Sequence, residues 1–239
     1  MLTRAHLIVD NADQILQKLR AAGSYLGWID LLAKHYRVVA LDCRGHGESG
    51  KPHDRMAYTA EEMTGDVIRL MDHLGLQRSL LMGYSMGGSI ALQLALNFPK
   101  RFRAVVLGGV GGGAGGMGTP GRAESIVRAL LTEDKKSITE VVPKTFREFA
   151  ERNGNDLKAL AACMSRPRPE ANLDALKAIS LPMMIAVGTN DTLVGDPQLL
   201  ARSIPGCELV LLEGRDHLSA VGDKRYKEAV TRFFASAPT

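Results

Sequence analysis

Apolar runs of four to seven residues alternate with segments of helical period from Arg37 almost to the end of the chain. An unbroken apolar run bounded by turn residues suits a strand buried on both faces, and its alternation with amphipathic segments predicts a parallel sheet flanked by helices. The predicted strands are "RVVALD" (37–42), "SLLMG" (79–83), "RAVVLGG" (103–109), "LPMMIAVG" (181–188) and "CELVLLE" (207–213). Helices are predicted over "TAEEMTGDVIRLMDHLG" (59–75), over "MGGSIALQLALNFP" (86–99), near 196–203 and from about Asp223 onward. Thr59 and Glu62 are spaced as a capping box at the start of the first of these.

Between Gly108 and Ser180 the strand pattern stops. Helix-like stretches replace it: "RAESIVRALL", "ITEVVPKTFREFAERNG", "DLKALAACM" and "NLDALKAI". The expected organisation is an α/β core of residues 1–110 and 181–239, with a helical cap inserted over 111–180. The glycine-rich stretch "GGVGGGAGGMGTPG" (108–121) places Gly111, Gly113 and Gly116 at G-x-G-x-x-G spacing. A dinucleotide site would need a second strand ending in an acidic residue about twenty positions on, and a phosphate loop would need a Lys-Ser/Thr pair. Neither follows, so the stretch reads as a connector into the cap.

Composition narrows the classes. With 239 residues, 45% hydrophobic and 23% charged, the chain can bury a substantial core and is far from disordered. The net charge of +4 is spread among interleaved acids, and aromatics make up only 5%, so no nucleic-acid face is expected. Cys43, Cys163 and Cys207 are far apart and lack metal-ligand spacing. No stretch approaches a membrane span, and charges at Arg4, Asp10, Asp13, Lys18 and Arg20 exclude a secretory leader pattern. A cytoplasmic protein with no membrane or nucleic-acid partner is the expectation.

The chemistry centres on "GYSMG". Ser85 stands between a predicted strand and a predicted helix, with Gly83 and Gly87 at two positions either side. A serine could simply cap the helix. A sharp strand-to-helix turn, however, crowds the residues two positions away and needs glycine there, which a cap does not. Such a turn exposes the hydroxyl at the carboxyl edge of the sheet. To act as a nucleophile the serine needs a histidine base, and the histidine a carboxylate. Of six histidines, His217 lies after the last strand at the same edge; His46 sits in a glycine-rich turn and His73 in an amphipathic helix. Asp191 directly follows a strand and is the candidate acid, with Asp196 second and Asp216 disfavoured because it abuts His217.

Residues 24–236 resemble the α/β-hydrolase fold superfamily, especially its small esterase-like members with a helical cap. The matching segments are "SYLGWIDLLAKHYRVVALDCRGHGES", "GYSMGGSIALQLALNFP", "MMIAVGTNDTLVGDPQLLA" and "EGRDHLSAVGDKRYKEAVTRFF". The resemblance implies Ser85 as nucleophile, His217 as base, Asp191 as acid and the Met86 N–H as an oxyanion donor. It implies no cofactor and no metal. Serine rather than aspartate at the elbow favours acyl transfer, so a small or medium carboxylic ester is the expected substrate. Met117, Leu193 and Leu218, with Met86, fall near the site as candidate pocket residues. The same triad also serves cofactor-free haloperoxidase or carbon–carbon hydrolase reactions, and a catalytically weak ligand-binding member is the remaining alternative.

That last alternative arises at the N-terminus. The superfamily carries a His-Gly motif at the end of an early strand before the tryptophan matching Trp28, and the next loop supplies the second oxyanion N–H. Here the region reads "LIVDNADQILQKLRAAGSYLGW" without His-Gly. Counting back from Trp28 places the motif near Lys18 to Arg20, whereas strand context places it at Asp10 and Asn11. Ile15, Leu16, Leu19 and Ala22 share one face of an expected short helix, two earlier strands of the superfamily have no counterpart, and N–H groups near Ala22 to Tyr25 are candidate substitute donors.

Overall fold

A computed structural model describes the backbone of residues 5–10 and residues 27–112, 121–167 and 173–238. Among the described residues six strands form one parallel sheet: β1 (Ala5–Asp10), β2 (Arg37–Asp42), β3 (Ser79–Tyr84), β4 (Phe102–Gly108), β5 (Met183–Gly188) and β6 (Glu208–Leu212). Their spatial order is β2-β1-β3-β4-β5-β6, parallel throughout. The central β3, β4 and β5 are buried at every residue, which is why they read as continuous apolar runs.

The two faces follow the period of two along each strand. Leu81, Val105, Leu107, Ile185 and Val187 meet Met63, Val67, Met71, Ile90 and Leu94. These come from α2 (Ala60–His73) and α3 (Met86–Asn97). Leu80, Met82, Tyr84, Val106, Met184 and Ala186 face the other way, against Trp28, Leu32, Tyr226, Val230 and Phe234. That second layer is α1 (Trp28–Ala33) and α10 (Lys224–Ala235).

Between β4 and β5 run α4 (Arg122–Leu131), α5 (Val141–Arg152), α6 (Leu157–Met164) and α7 (Leu173–Lys177). Ile126, Leu130, Ala150, Leu160 and Ala161 form an apolar cluster of their own. The next two residues of α6, Ala162 and Cys163, pack instead against the main core. Arg147 is buried and its Nη1 donates to the carbonyls of Ala129, Leu130 and Thr132, closing the C-terminal end of α4. Two short helices, α8 (Pro197–Ser203) and α9 (His217–Ala220), flank β6.

Strand β1 covers the apolar run ending at Asp10 and lies between β2 and β3, one place in from the sheet edge, with Asp10 level with both Asp42 and Tyr84. Two readings of the sequence change. Only half of the expected capping box forms. Thr59 Oγ1 accepts the Glu62 N–H at 3.4 Å, but the Glu62 carboxylate turns to Arg44 Nη2 at 3.1 Å. His217 opens α9 rather than sitting on a loop, because Asp216 caps that turn by accepting the N–H groups of Leu218 and Ser219. The expected helix over Ile15 to Ala22, the positions Lys18 to Arg20 and Ala22 to Tyr25, and Gly113, Gly116 and Met117 lie outside the described residues.

Candidate active site

The turn from β3 into α3 is built as its spacing demands. A Cβ on Gly83 would stand 2.1 Å from the Gly87 carbonyl oxygen, so no larger residue fits there. Gly88 is constrained less severely: its Cβ would lie 2.8 Å from Val110 Cγ1 and 2.9 Å from Gly108 O. Ser85 between them has φ 54° and ψ −115°, the one positive φ outside glycine among the described residues. A backbone held there costs about 1–3 kcal/mol, which the packed turn must offset. Ser85 occupies the cap position of α3, yet its hydroxyl makes no cap bond.

The hydroxyl turns to histidine instead. Ser85 Oγ lies 2.8 Å from His217 Nε2, and His217 Nδ1 lies 2.6 Å from Asp191 Oδ2. An ionised carboxylate can only accept, so this contact favours the tautomer with its proton on Nδ1, in which Nε2 can accept the Ser85 O–H. The Asp191 side chain has no solvent-accessible surface, and its other oxygen takes the Leu193 N–H at 2.9 Å. Thus Leu193 serves the acid through its backbone. Its side chain is half-buried, whereas Leu218, beside the histidine, is 53% exposed.

The loops that bring these three together pack without room for side chains. A Cβ on Gly188 would meet Arg215 O at 2.1 Å, which fixes the end of β5 against the segment leading to His217. Gly111 packs as closely on Gly195, and Gly112 pairs with Asp196 in an antiparallel bridge. Asp196 itself caps α8 by accepting the Gln198 N–H, so it is a structural residue. His46 is buried in its turn with Nδ1 on Arg44 O, and His73 lies exposed in the last turn of α2.

Met86 is the first residue of α3, so its N–H has no carbonyl within the helix to bond and points out at the helix N-terminus. Its side chain turns away to meet Cys163 Sγ on α6 at 3.5 Å. A cleft of about 250 Å³ runs beside the acid loop, lined by Thr189, Asp191, Gly195, Asp196, Gln198 and Leu211. Neither Ser85 nor His217 lines it. Among the described residues, no three of His, Cys, Asp and Glu gather as a metal site, and no helix is long and apolar enough to cross a membrane. Cys43 and Cys163 are buried and Cys207 is partly buried.

A family model for the alpha/beta hydrolase fold matches residues 20–179. The chain belongs to the α/β-hydrolase fold family. It is 31% identical over 206 residues to 3-oxoadipate enol-lactonase 2 of Acinetobacter baylyi, covering 78% of this chain and 73% of that one. Among solved structures it is similar to a hydrolase from Pseudomonas aeruginosa, with 26% identity, a TM-score of 0.78 and coverage of 98% and 90% of the two chains. The enol-lactonase from Burkholderia xenovorans shares the fold at 23% identity and a TM-score of 0.68, covering 98% and 92%.

Three contributors to this hydrolase site escape a reading by local spacing: Gly88, Gly109 and Tyr84. The pair Gly108-Gly109 after an apolar strand is the one signal that could have found the last two, since glycine at a strand end marks a close approach.

Proposed function

We propose that this hydrolase cleaves carboxylic esters of small or medium size, cyclic esters included, through a serine nucleophile. The observation that carries the proposal is the unbroken relay from Ser85 Oγ through His217 to the shielded Asp191. The enol-lactonase relative supports the inclusion of lactones. In this mechanism His217 Nε2 takes the Ser85 proton as Oγ attacks the carbonyl carbon, and Asp191 stabilises the imidazolium so formed. The Met86 N–H stabilises the oxyanion, His217 returns the proton to the leaving alkoxide, and a water activated by the same nitrogen releases the acid.

Strand β1 ends at Asp10, level with Tyr84; the candidate second oxyanion donors, near Asn11 and near Ala22 to Tyr25, lie outside the described residues. Each such donor is worth about 3–4 kcal/mol of transition-state stabilisation. Residues 111–180 act in this reading as the cap, supported by the contact of Cys163 with Met86 and by the His53–Asp156 pair at 2.9 Å.

The test is labelling by a fluorophosphonate probe together with hydrolysis of a nitrophenyl ester series of increasing chain length. Both are expected in the wild type and absent in Ser85→Ala; equal labelling of the variant overturns the assignment.

A further inference from the structure

The residue immediately before the candidate nucleophile reaches across the sheet edge to the histidine. Tyr84 is buried, and its hydroxyl donates to the backbone carbonyl of His217 at 2.6 Å. Its ring also packs against the imidazole, with centroids 5.3 Å apart. We infer that Tyr84 is a positioning residue for His217, setting the imidazole at bonding distance from Ser85. The inference rests on the serine-hydrolase reading above.

The covalent arrangement explains why this residue can do so. Tyr84 and Ser85 share a peptide bond, so the end of β3 fixes the origin of both side chains. One carries the hydroxyl that bonds His217 Nε2, and the other holds the main chain of His217 itself. The span from Ser85 to His217 is 132 residues, and Tyr84 makes a second tie between the same two loci. An error in one loop's position is thereby shared by both ends of the proton-transfer pair.

The neighbouring strand is shaped for this contact. A Cβ on Gly108 would stand 2.4 Å from Tyr84 Cδ2, and one on Gly109 would stand 2.8 Å from Tyr84 Cζ and 3.0 Å from His217 Cε1. Gly109 also has φ 61°, which favours glycine. The first two glycines of the glycine-rich stretch are therefore the floor on which the tyrosine and histidine rings meet. Behind them the Tyr226 ring lies 6.3 Å from Tyr84 and 5.0 Å from Trp28, whose Nε1–H donates to Val221 O at the far end of α9. The segment bearing His217 is tied at its first residue by Tyr84 and just past its last by Trp28.

The test is Tyr84→Phe, which keeps the ring and removes the donor. With nitrophenyl acetate as substrate, kcat should fall about ten- to hundredfold, the scale expected for a misplacement near 1 Å, with KM within about twofold. The fluorophosphonate should still label one site per molecule but at a correspondingly lower rate constant. Rates equal to wild type would overturn the inference. So would a fall in the labelled fraction with unchanged rate constant, because that reports fewer folded molecules instead of a displaced histidine. As a check independent of turnover, the Nδ1 proton of His217, held by the 2.6 Å bond to Asp191, should give a far-downfield proton resonance that broadens in Tyr84→Phe. An unchanged resonance counts against the role. Loss of all Ser85-dependent labelling in the wild type would strike the serine-hydrolase reading itself, a distinct result.

Discussion

Asp191 Oδ2 stands 2.6 Å from His217 Nδ1, on a side chain with no solvent-accessible surface. The carboxylate meets two groups, the imidazole Nδ1 and the Leu193 N–H, and in the proposed relay this geometry favours the tautomer that the serine requires. Asp191→Asn keeps the shape but can donate to Nδ1, favouring the wrong tautomer. We expect kcat for a nitrophenyl ester to fall about 10⁴-fold with KM little changed. A loss smaller than tenfold would remove Asp191 from the relay.

The turn at Ser85 makes a prediction about stability. Gly83→Ala places a Cβ against the Gly87 carbonyl at 2.1 Å, and backbone cannot yield as a side-chain tip can. The expected cost is about 3 kcal/mol or more by urea unfolding. Gly75→Ala is the control, since that residue has φ 67° but open space around its Cβ. Only backbone strain is introduced there, costing about 1 kcal/mol.

Asp223 couples the His217 segment to acid. Its carboxyl is held well below the usual carboxylate range by the Arg225 guanidinium, then by Arg215, and it caps α10 through the Arg225 N–H. A depressed folded pKa contributes stability above the ordinary value near 3.9 and loses it as pH falls below that value. The urea midpoint of the wild type should therefore drop more steeply between pH 5 and pH 2.5 than that of Asp223→Asn. Parallel curves would show that the pair of arginines does not stabilise the ionised acid.

Burial pushes the Cys207 thiol up to about 12. Only the thiolate alkylates, so iodoacetamide at pH 8 should leave Cys207 unmodified in the native protein and modify it in urea. Rapid native labelling, read by mass spectrometry of the peptide, would contradict the burial.

Arg147 tests the construction of the helical insert. Arg147→Met removes the donor to three carbonyls at the end of α4 and the ion pair to Glu151 at 2.8 Å. We expect a loss of about 2–3 kcal/mol in stability, with hydrolysis at low temperature retained. Unchanged unfolding would mean that water replaces the guanidinium freely.

Local spacing made much of this protein legible. The buried strands announce themselves as apolar runs because both of their faces are covered, and the glycines around Ser85 announce a turn because only a hydrogen fits at Gly83. Asp191 and His217 could be ranked from sequence because parallel strands deliver their following loops to one edge. What local spacing cannot encode is pairing across the sheet. Strand β1, six residues long and preceding the regular alternation, becomes an interior strand only because β2 and β3 accept it on either side. Glu62 leaves its expected capping role for Arg44, brought near by the fold. Likewise Tyr84 finds the His217 carbonyl 133 residues away. The sequence by itself determined the parallel α/β architecture, the strained serine turn and the residue types able to form a relay. Tertiary structure alone decided that Tyr84 meets the histidine carbonyl and that Glu62 meets Arg44, because hydrogen bonds act over about 3 Å and only the folded sheet brings such distant groups within that reach.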